Sequence, residues 1–203
     1  MNENACSQYS SIILSAGMST RMKTCKQLLP WGNTTILGTI ILTLKTCQLN
    51  QIIVVSGGFR DKIEKEANRY QVKIVFNERF QNGEMVDSLK NGLSLVNRDL
   101  KGVFIVLGDQ PFISKKIFLE ICACYKRNID KIVIPSYKLR RAHPWFLPKI
   151  YYDELLSMQF PRNLRDFLHD HDKDICYINT EDSLLLVDLD TKEDYEKFKS
   201  LQH

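Results

Sequence analysis

The chain has little that would commit it to a membrane, a secretory route or a nucleic acid. No apolar run approaches the ~20 residues needed to cross a bilayer, and the longest, such as Val103–Leu107, have the length of a strand. Met1–Ser10 carries neither the positive start nor the apolar stretch of a secretory signal, so a cytoplasmic location is the expectation. The six cysteines (Cys6, Cys25, Cys47, Cys122, Cys124 and Cys176) are scattered without a C-x-x-C pair, which favours free thiols over a disulfide framework. Charge of one sign is scarce too: 28 Lys and Arg against 24 Asp and Glu leave a formal net charge of +4. That balance needs no nucleic acid, whose partners concentrate Lys and Arg on one face, and suits an anionic small molecule as well. No repeat, low-complexity tract or linker divides the 203 residues, so a single domain over residues 1–203 is expected.

What is present is a regular alternation. Ser11–Ser15, Gln51–Ser56, Val72–Phe76, Gly102–Leu107 and Lys131–Pro135 are short apolar runs that end at glycine or polar residues, as buried strands do. Between them, 34–47, 61–70, 85–96 and 114–125 carry apolar residues at helical spacing, for example Ile36, Leu37, Ile40, Ile41 and Leu44, or Met85, Leu89, Leu93 and Val96. Strands apolar on both faces imply a mostly parallel sheet covered by helices on both sides, a three-layer α/β sandwich. After Pro135 the rhythm changes: 137–147 is basic and aromatic, 149–158 and 163–169 suggest short helices, 175–178 and 184–187 strands, and 191–201 a closing helix.

In such a sheet, ligands bind beyond the carboxyl ends of the strands. The loop after the first strand, Leu14-Ser15-Ala16-Gly17-Met18-Ser19-Thr20-Arg21-Met22-Lys23-Thr24-Cys25-Lys26-Gln27-Leu28-Leu29-Pro30, offers a glycine, hydroxyls at Ser19 and Thr20, and cations at Arg21, Lys23 and Lys26. A triphosphate needs that combination, though a solvated basic loop also accounts for it. It is neither a Walker A element nor G-x-G-x-x-G, since Met22 and Ser19 stand where those motifs need Gly. After the fourth strand, Gly108-Asp109-Gln110-Pro111 is either an ordinary turn or a carboxylate placed to bridge a divalent ion to phosphates.

Taken whole, L-x-A-G-x-S-x-R-M followed by K-x-L-L-P resembles the signature loop of the nucleotidyltransferases that make molybdenum cofactor dinucleotides, within the Rossmann-like nucleotide-diphospho-sugar transferase fold. It is most similar to the cytidylyltransferase branch, which reads Leu-Ala-Ala-Gly. Here Ser15 replaces the usual Ala, and Lys23 a Gly. The resemblance implies that Leu14, Ser15, Ala16 and Gly17 cradle a nucleotide and that Arg21 and Lys26 hold its phosphates. Gly-Asp-Gln-Pro is similar to the family's second signature and implies a Mg²⁺ ligand at Asp109. Asn82–Leu93 resembles the segment ending Ser-Leu-x-x-Gly-Leu and implies Ser88 in the nucleotide pocket, with Glu84 and Asp87 where small residues are usual; a capped helix explains its apolar residues equally.

Arg140-Arg141-Ala142-His143-Pro144 is similar to the family's Gly-His-Pro element, and 162–168 occupies the place of a later arginine-bearing helix. Together they imply acceptor contacts from Arg141, His143 and Arg165; exposed helical arginines and a structural histidine are the plainer account. Asp188-Leu189-Asp190-Thr191-Lys192-Glu193-Asp194 resembles Asp-Ile-Asp-Thr-Pro-Glu-Asp. Spacing of two on a strand end would point Asp188 and Asp190 the same way, the resemblance implies a second metal ligand there, and Thr191 and Asp194 fit a helix cap. His169 and His171 lack the i, i+4 spacing of ligands on one helix face, and a solvated turn is expected. Cys122 and Cys124 are expected to be packing residues.

The resemblance implies transfer of CMP from CTP, or of another nucleotide from its triphosphate, to the molybdopterin cofactor. Mg²⁺ would be bound, the nucleotide half would span about 10–135 and the acceptor half about 136–203. A transient contact with a molybdenum hydroxylase such as xanthine dehydrogenase follows, with a monomer or weak oligomer and no nucleic acid or membrane partner. Two alternatives remain at this level: an acceptor that is a sugar phosphate or other alcohol phosphate, or a non-catalytic maturation factor that delivers the finished cofactor.

Overall fold

A computed structural model describes residues 6–22 and 24–201; Lys23, counted among the loop cations, lies outside the described residues. The elements follow in order β1 (Tyr9–Leu14), the short hairpin β2 (Pro30–Trp31) and β3 (Thr34–Thr35), α1 (Ile36–Thr46), β4 (Gln51–Ser56), α2 (Arg60–Asn68), β5 (Lys73–Phe76), α3 (Met85–Leu93), β6 (Gly102–Leu107) and α4 (Lys115–Arg127). Then come β7 (Ile132–Tyr137), β8 (Arg140–Arg141), β9 (Trp145–Pro148), α5 (Tyr152–Ser157), α6 (Leu164–Asp170), β10 (Ile175–Asn179) and α7 (Lys192–Lys199). The main sheet runs β10-β7-β9-β6-β1-β4-β5, with β8 paired to the end of β7. β1 pairs in parallel with β4 and β6, β4 with β5, and β7 with β10, whereas β9 is antiparallel to both its neighbours.

The uniformly apolar strands have a direct cause. On β1, Ile13 faces a core built with α1, α2, α4 and α7, and Ile12 faces a second core with α3, α5 and α6. On β6, Phe104 and Val106 enter the first core, Val103 and Ile105 the second. Period-two alternation between two buried faces therefore needs an apolar residue at every position. α1 starts where Thr35 Oγ1 accepts from Gly38 N at 2.9 Å, and α7 where Thr191 and Asp194 form the expected capping box.

Three expectations are corrected. The basic, aromatic stretch conceals β8 and β9; β9 inserts antiparallel between β6 and β7, pairing Ile105 with Trp145 and Phe104 with Phe146. Residues 184–187 form no strand, for Ser183–Leu186 is a 3₁₀ turn started by Asp182, whose side chain accepts from Leu184 N. And α3 buries Val86, Leu89 and Leu93, while Met85 turns outward.

Strand order reverses beside β1: the chain moves from β1 to β4 and β5 on one side, then crosses to β6 on the other. This leaves a crevice at the carboxyl ends of β1 and β6, where no crossover covers the sheet.

Candidate active site

That crevice holds a cavity of about 500 Å³. Leu14, Ala16, Gly17, Arg21 and Lys26 line it from the first loop, Ser88 from α3, Asp109 from the loop after β6, and Asp188 and Asp190 from the segment before α7. Residues from opposite ends of the chain thus share one concavity, because the loop after β1 and the final segment both reach the same sheet edge.

The first loop is pinned by backbone. Ser15 N donates to Val55 O, Gly108 N to Leu14 O, and Gly58 N to Ala16 O, at 3.0–3.1 Å. Such closeness requires glycine just past the neighbouring strand β4, since a Cβ on Gly57 would sit 2.4 Å from Ala16 O. Ser19, at φ 46°, turns the chain through the left-handed region. Lys26 N then donates to Ser19 Oγ at 3.4 Å, closing the loop. Ser15 lies under it, its hydroxyl buried and without a hydrogen-bond partner among the described residues. Of the predicted cradle, Ser15 alone does not line the cavity.

At the floor, Lys26 Nζ donates to Asp109 Oδ2 at 2.5 Å and to Asp190 Oδ1 at 2.7 Å, while Arg21 Nη1 donates to Asp190 Oδ2 at 2.8 Å. Burial pulls the Lys26 ammonium toward deprotonation, but the two carboxylates outweigh it and hold its pKa above the ordinary lysine value. The hydrogen bond from Lys26, aided by Arg21, keeps Asp190 below the usual carboxylate range. Asp188 behaves differently. It accepts from Gln110 Nε2 at 2.6 Å, and burial, with the charges of Asp109 and Asp190, raises its pKa. Neither aspartate lies on a strand and the two share no hydrogen-bond partner, although both line the cavity. No group of three His, Cys, Asp or Glu side chains among the described residues is arranged to enclose a metal; Asp109 and Asp190 are the pair that converges on one cationic point.

Residues 11–175 match the model of the MobA-like NTP transferase domain. The chain belongs to this family. It is 29% identical over 188 residues to the molybdenum cofactor cytidylyltransferase of Escherichia coli K12, covering 91% of this chain and 92% of the relative. Among solved structures, a homologue of Rv0371c from Mycobacterium sp. strain JC1 superposes with a TM-score of 0.81 at 26% identity, over 97% of each chain. The manganese complex of Mycobacterium tuberculosis Rv0371c does so with 0.79 at 23% identity, over 95% of this chain and 98% of that one. The protein is accordingly a nucleotidyltransferase of the MobA-like family, with the mostly parallel sheet expected of it.

In this MobA-like chain the residues expected to meet the acceptor stand apart. His143 is 8% exposed just before β9, stacked on Trp145 at 4.4 Å, with Nδ1 3.2 Å from Ile105 O. Burial lowers its pKa to about 4, so the ring is neutral near pH 7 and offers no charge to an anion. Arg141 Nε donates to Tyr177 Oη at 2.9 Å. Arg165 is exposed on α6, its backbone N held by the Asn163 cap. None of these three lines the cavity. His169 is exposed near the end of α6, while His171 packs on Tyr151 and Phe167 and lies 2.9 Å from Glu154 Oε2, so only part of that turn is solvated.

Among the cavity residues absent from the sequence-derived set is a buried polar one. Asn77, directly after β5, is 1% exposed; its Nδ2 donates to Ser88 Oγ at 2.9 Å, and its Oδ1 accepts from Arg79 N and Asn91 Nδ2. Because Ser88 accepts from Asn77, its own proton remains available to donate. The rule that finds Gly17 and Asp109, a polar residue just past a strand's carboxyl end, finds Asn77 as well.

No helix among the described residues is long and apolar enough to cross a membrane.

Proposed function

We propose that this nucleotidyltransferase moves CMP from CTP to the terminal phosphate of the molybdopterin cofactor, releasing pyrophosphate and serving maturation of a molybdenum hydroxylase such as xanthine dehydrogenase. The carrying observation is Lys26 held between Asp109 and Asp190 at the floor of the switch-point cavity. Cytosine and molybdopterin are drawn from the named Escherichia coli relative. Residues 1–203 act as one domain in this reading. About 10–135 bind the nucleotide and about 136–203 the acceptor, with Asp188 and Asp190 reaching back to the nucleotide side.

The proposed cofactor is Mg²⁺. Asp109 and Asp190 fit it: two carboxylates that meet one ammonium at 2.5 and 2.7 Å present a two-oxygen site for a cation, and Mg²⁺ is commonly held by one or two carboxylates plus substrate phosphates. The neighbour solved with manganese supports a divalent ion. When bound, the ion supplies charge neutralisation on the phosphates.

The chain's own residues do the rest. Lys26 and Arg21, which now neutralise the carboxylates, are the groups that grip the triphosphate, so polyanion and cation exchange partners within one cavity. The backbone of Ala16 and Gly17 lies open to the nucleotide, and Ser88 offers a hydroxyl proton. An oxygen of the acceptor phosphate bonds to the α-phosphorus, the bond to the bridging oxygen breaks, and its electron pair leaves with pyrophosphate. No covalent bond to the protein forms, so catalysis is positioning and electrostatics.

Pyrophosphate release tests this, measured with each of the four nucleoside triphosphates and Mg²⁺, with and without molybdopterin. Release from CTP alone, dependent on molybdopterin and reduced roughly 10²–10³-fold in Asp109→Asn, is expected. Dependence on a sugar phosphate would replace the acceptor, and no release at all would favour a delivery factor.

A further inference from the structure

Topology brings four of the scattered cysteines into two pairs. Cys6 Sγ lies 2.9 Å from Cys122 Sγ, and Cys124 Sγ 3.1 Å from Cys176 Sγ, in each case with one thiol donating to the other sulfur. All of them are free thiols. The pairs differ in access. Cys6 and Cys122 are 0% and 1% exposed inside the core. Cys124 and Cys176 line a surface groove together with Arg127 and Asn128, and Cys176 is only partly covered.

We propose that Cys124 and Cys176 form a reversible disulfide, made by exchange with a low-molecular-weight disulfide, that ties edge strand β10 to α4. Thiol exchange needs a thiolate, a second sulfur within reach and access for the oxidant. The groove supplies the second sulfur and the access; the buried pair, though closer, lacks access. Cys176 is the better exposed thiol, so its thiolate attacks the small disulfide, forming a mixed disulfide and expelling one small thiolate. Cys124 then attacks Cys176 Sγ and expels the second. Two protein thiols lose two protons and two electrons, and the small disulfide is reduced to two thiols. Burial and the neighbouring Cys176 raise the Cys124 pKa to about 11, whereas Arg127 and Asn128 act the other way. Asn128 Nδ2 donates to Cys124 Sγ at 3.6 Å, and this amide and the Arg127 guanidinium offset only part of the burial that disfavours the resolving thiolate, so the second exchange is the slower one. Transient disulfides of this kind are the sort found in reducing compartments.

The test uses the full chain with oxidised glutathione, followed by denaturing thiol titration and tryptic mass mapping without reductant. The expected result is loss of two of the six thiols, reversed by dithiothreitol. Peptide 117–126 should be joined to peptide 174–192. Because peptide 117–126 holds both Cys122 and Cys124, Cys124→Ser and Cys176→Ser must each abolish the cross-link, and Cys6→Ser must leave it intact. Retention of all six thiols, a cross-link from 1–21 to 117–126 instead, or persistence of the link in Cys124→Ser would overturn the proposal. It is independent of the nucleotide reading, since neither sulfur lines the cavity at β1 and β6.

Discussion

Replacing Lys26 by Met keeps the side chain's length and apolar stem while removing the ammonium that separates Asp109 from Asp190. Breaking a buried ion pair by deleting one partner costs about 3–5 kcal/mol. The side chains of Lys26 and Asp109 are 11% and 20% exposed, but Asp190 is 40% exposed and retains Arg21, so solvent screening reduces the loss to about 2–3 kcal/mol. At roughly 2–4 °C per kcal/mol for a chain of this size, Tm should fall by about 4–12 °C. The informative part is the metal response. With the internal cation gone, Mg²⁺ alone should stabilise Lys26→Met more than the parent, recovering about 2.7 kcal/mol at a hundredfold excess over its Kd, even though CTP binding is weakened. Thermal unfolding with and without Mg²⁺, in the absence of nucleotide, measures both effects. An unchanged Tm, or a Mg²⁺ shift no larger than the parent's, would refute the claim that Lys26 occupies the cation site.

Two further outcomes follow from the geometry. His143 has a folded pKa of about 4 against 6.5 unfolded; the unfolded chain binds the extra proton, so stability is whole above pH 6.5 and declines as pH falls toward 4, by up to about 3 kcal/mol. Urea unfolding of His143→Gln should show a shallower decline than the parent across that window, and parallel curves would remove His143 from the account. A Cβ on Gly17 meets no protein atom within 4 Å, although Gly17 lines the cavity. Gly17→Ala should therefore keep its Tm within about 1 °C while weakening CTP binding at least tenfold, about 1.4 kcal/mol by calorimetry; unaltered affinity would mean the nucleotide does not lie against this backbone.

Much of the fold and of the site is legible in the amino-acid sequence, for identifiable reasons. Strands buried on both faces leave continuous apolar runs, so β1, β4 and β6 are plain within a residue or two. The loops after them carry the polar residues, and Gly17, Lys26, Ser88 and Asp109 do line one cavity. β9 is hidden because it is only four residues long, ends in proline and follows a basic stretch, and its direction is antiparallel, which periodicity does not report. Leu184, Leu185 and Leu186 look like a strand because a 3₁₀ turn of three leucines has the same composition. Asp188 differs from Asp190 in accepting from Gln110 rather than from Lys26 and Arg21, long-range contacts that local spacing does not encode. The thiol pairs are invisible for the same reason: Cys122 and Cys124 each meet a cysteine more than fifty residues away.

The central claim is nucleotidyl transfer to a molybdopterin phosphate, and the most direct measurement follows the label. CTP radiolabelled at the α-phosphate should pass its label to molybdopterin in proportion to pyrophosphate released, whereas CTP labelled at the γ-phosphate should leave its label entirely in pyrophosphate. Label from the γ-phosphate on molybdopterin, or α-label recovered only as free CMP, would contradict it.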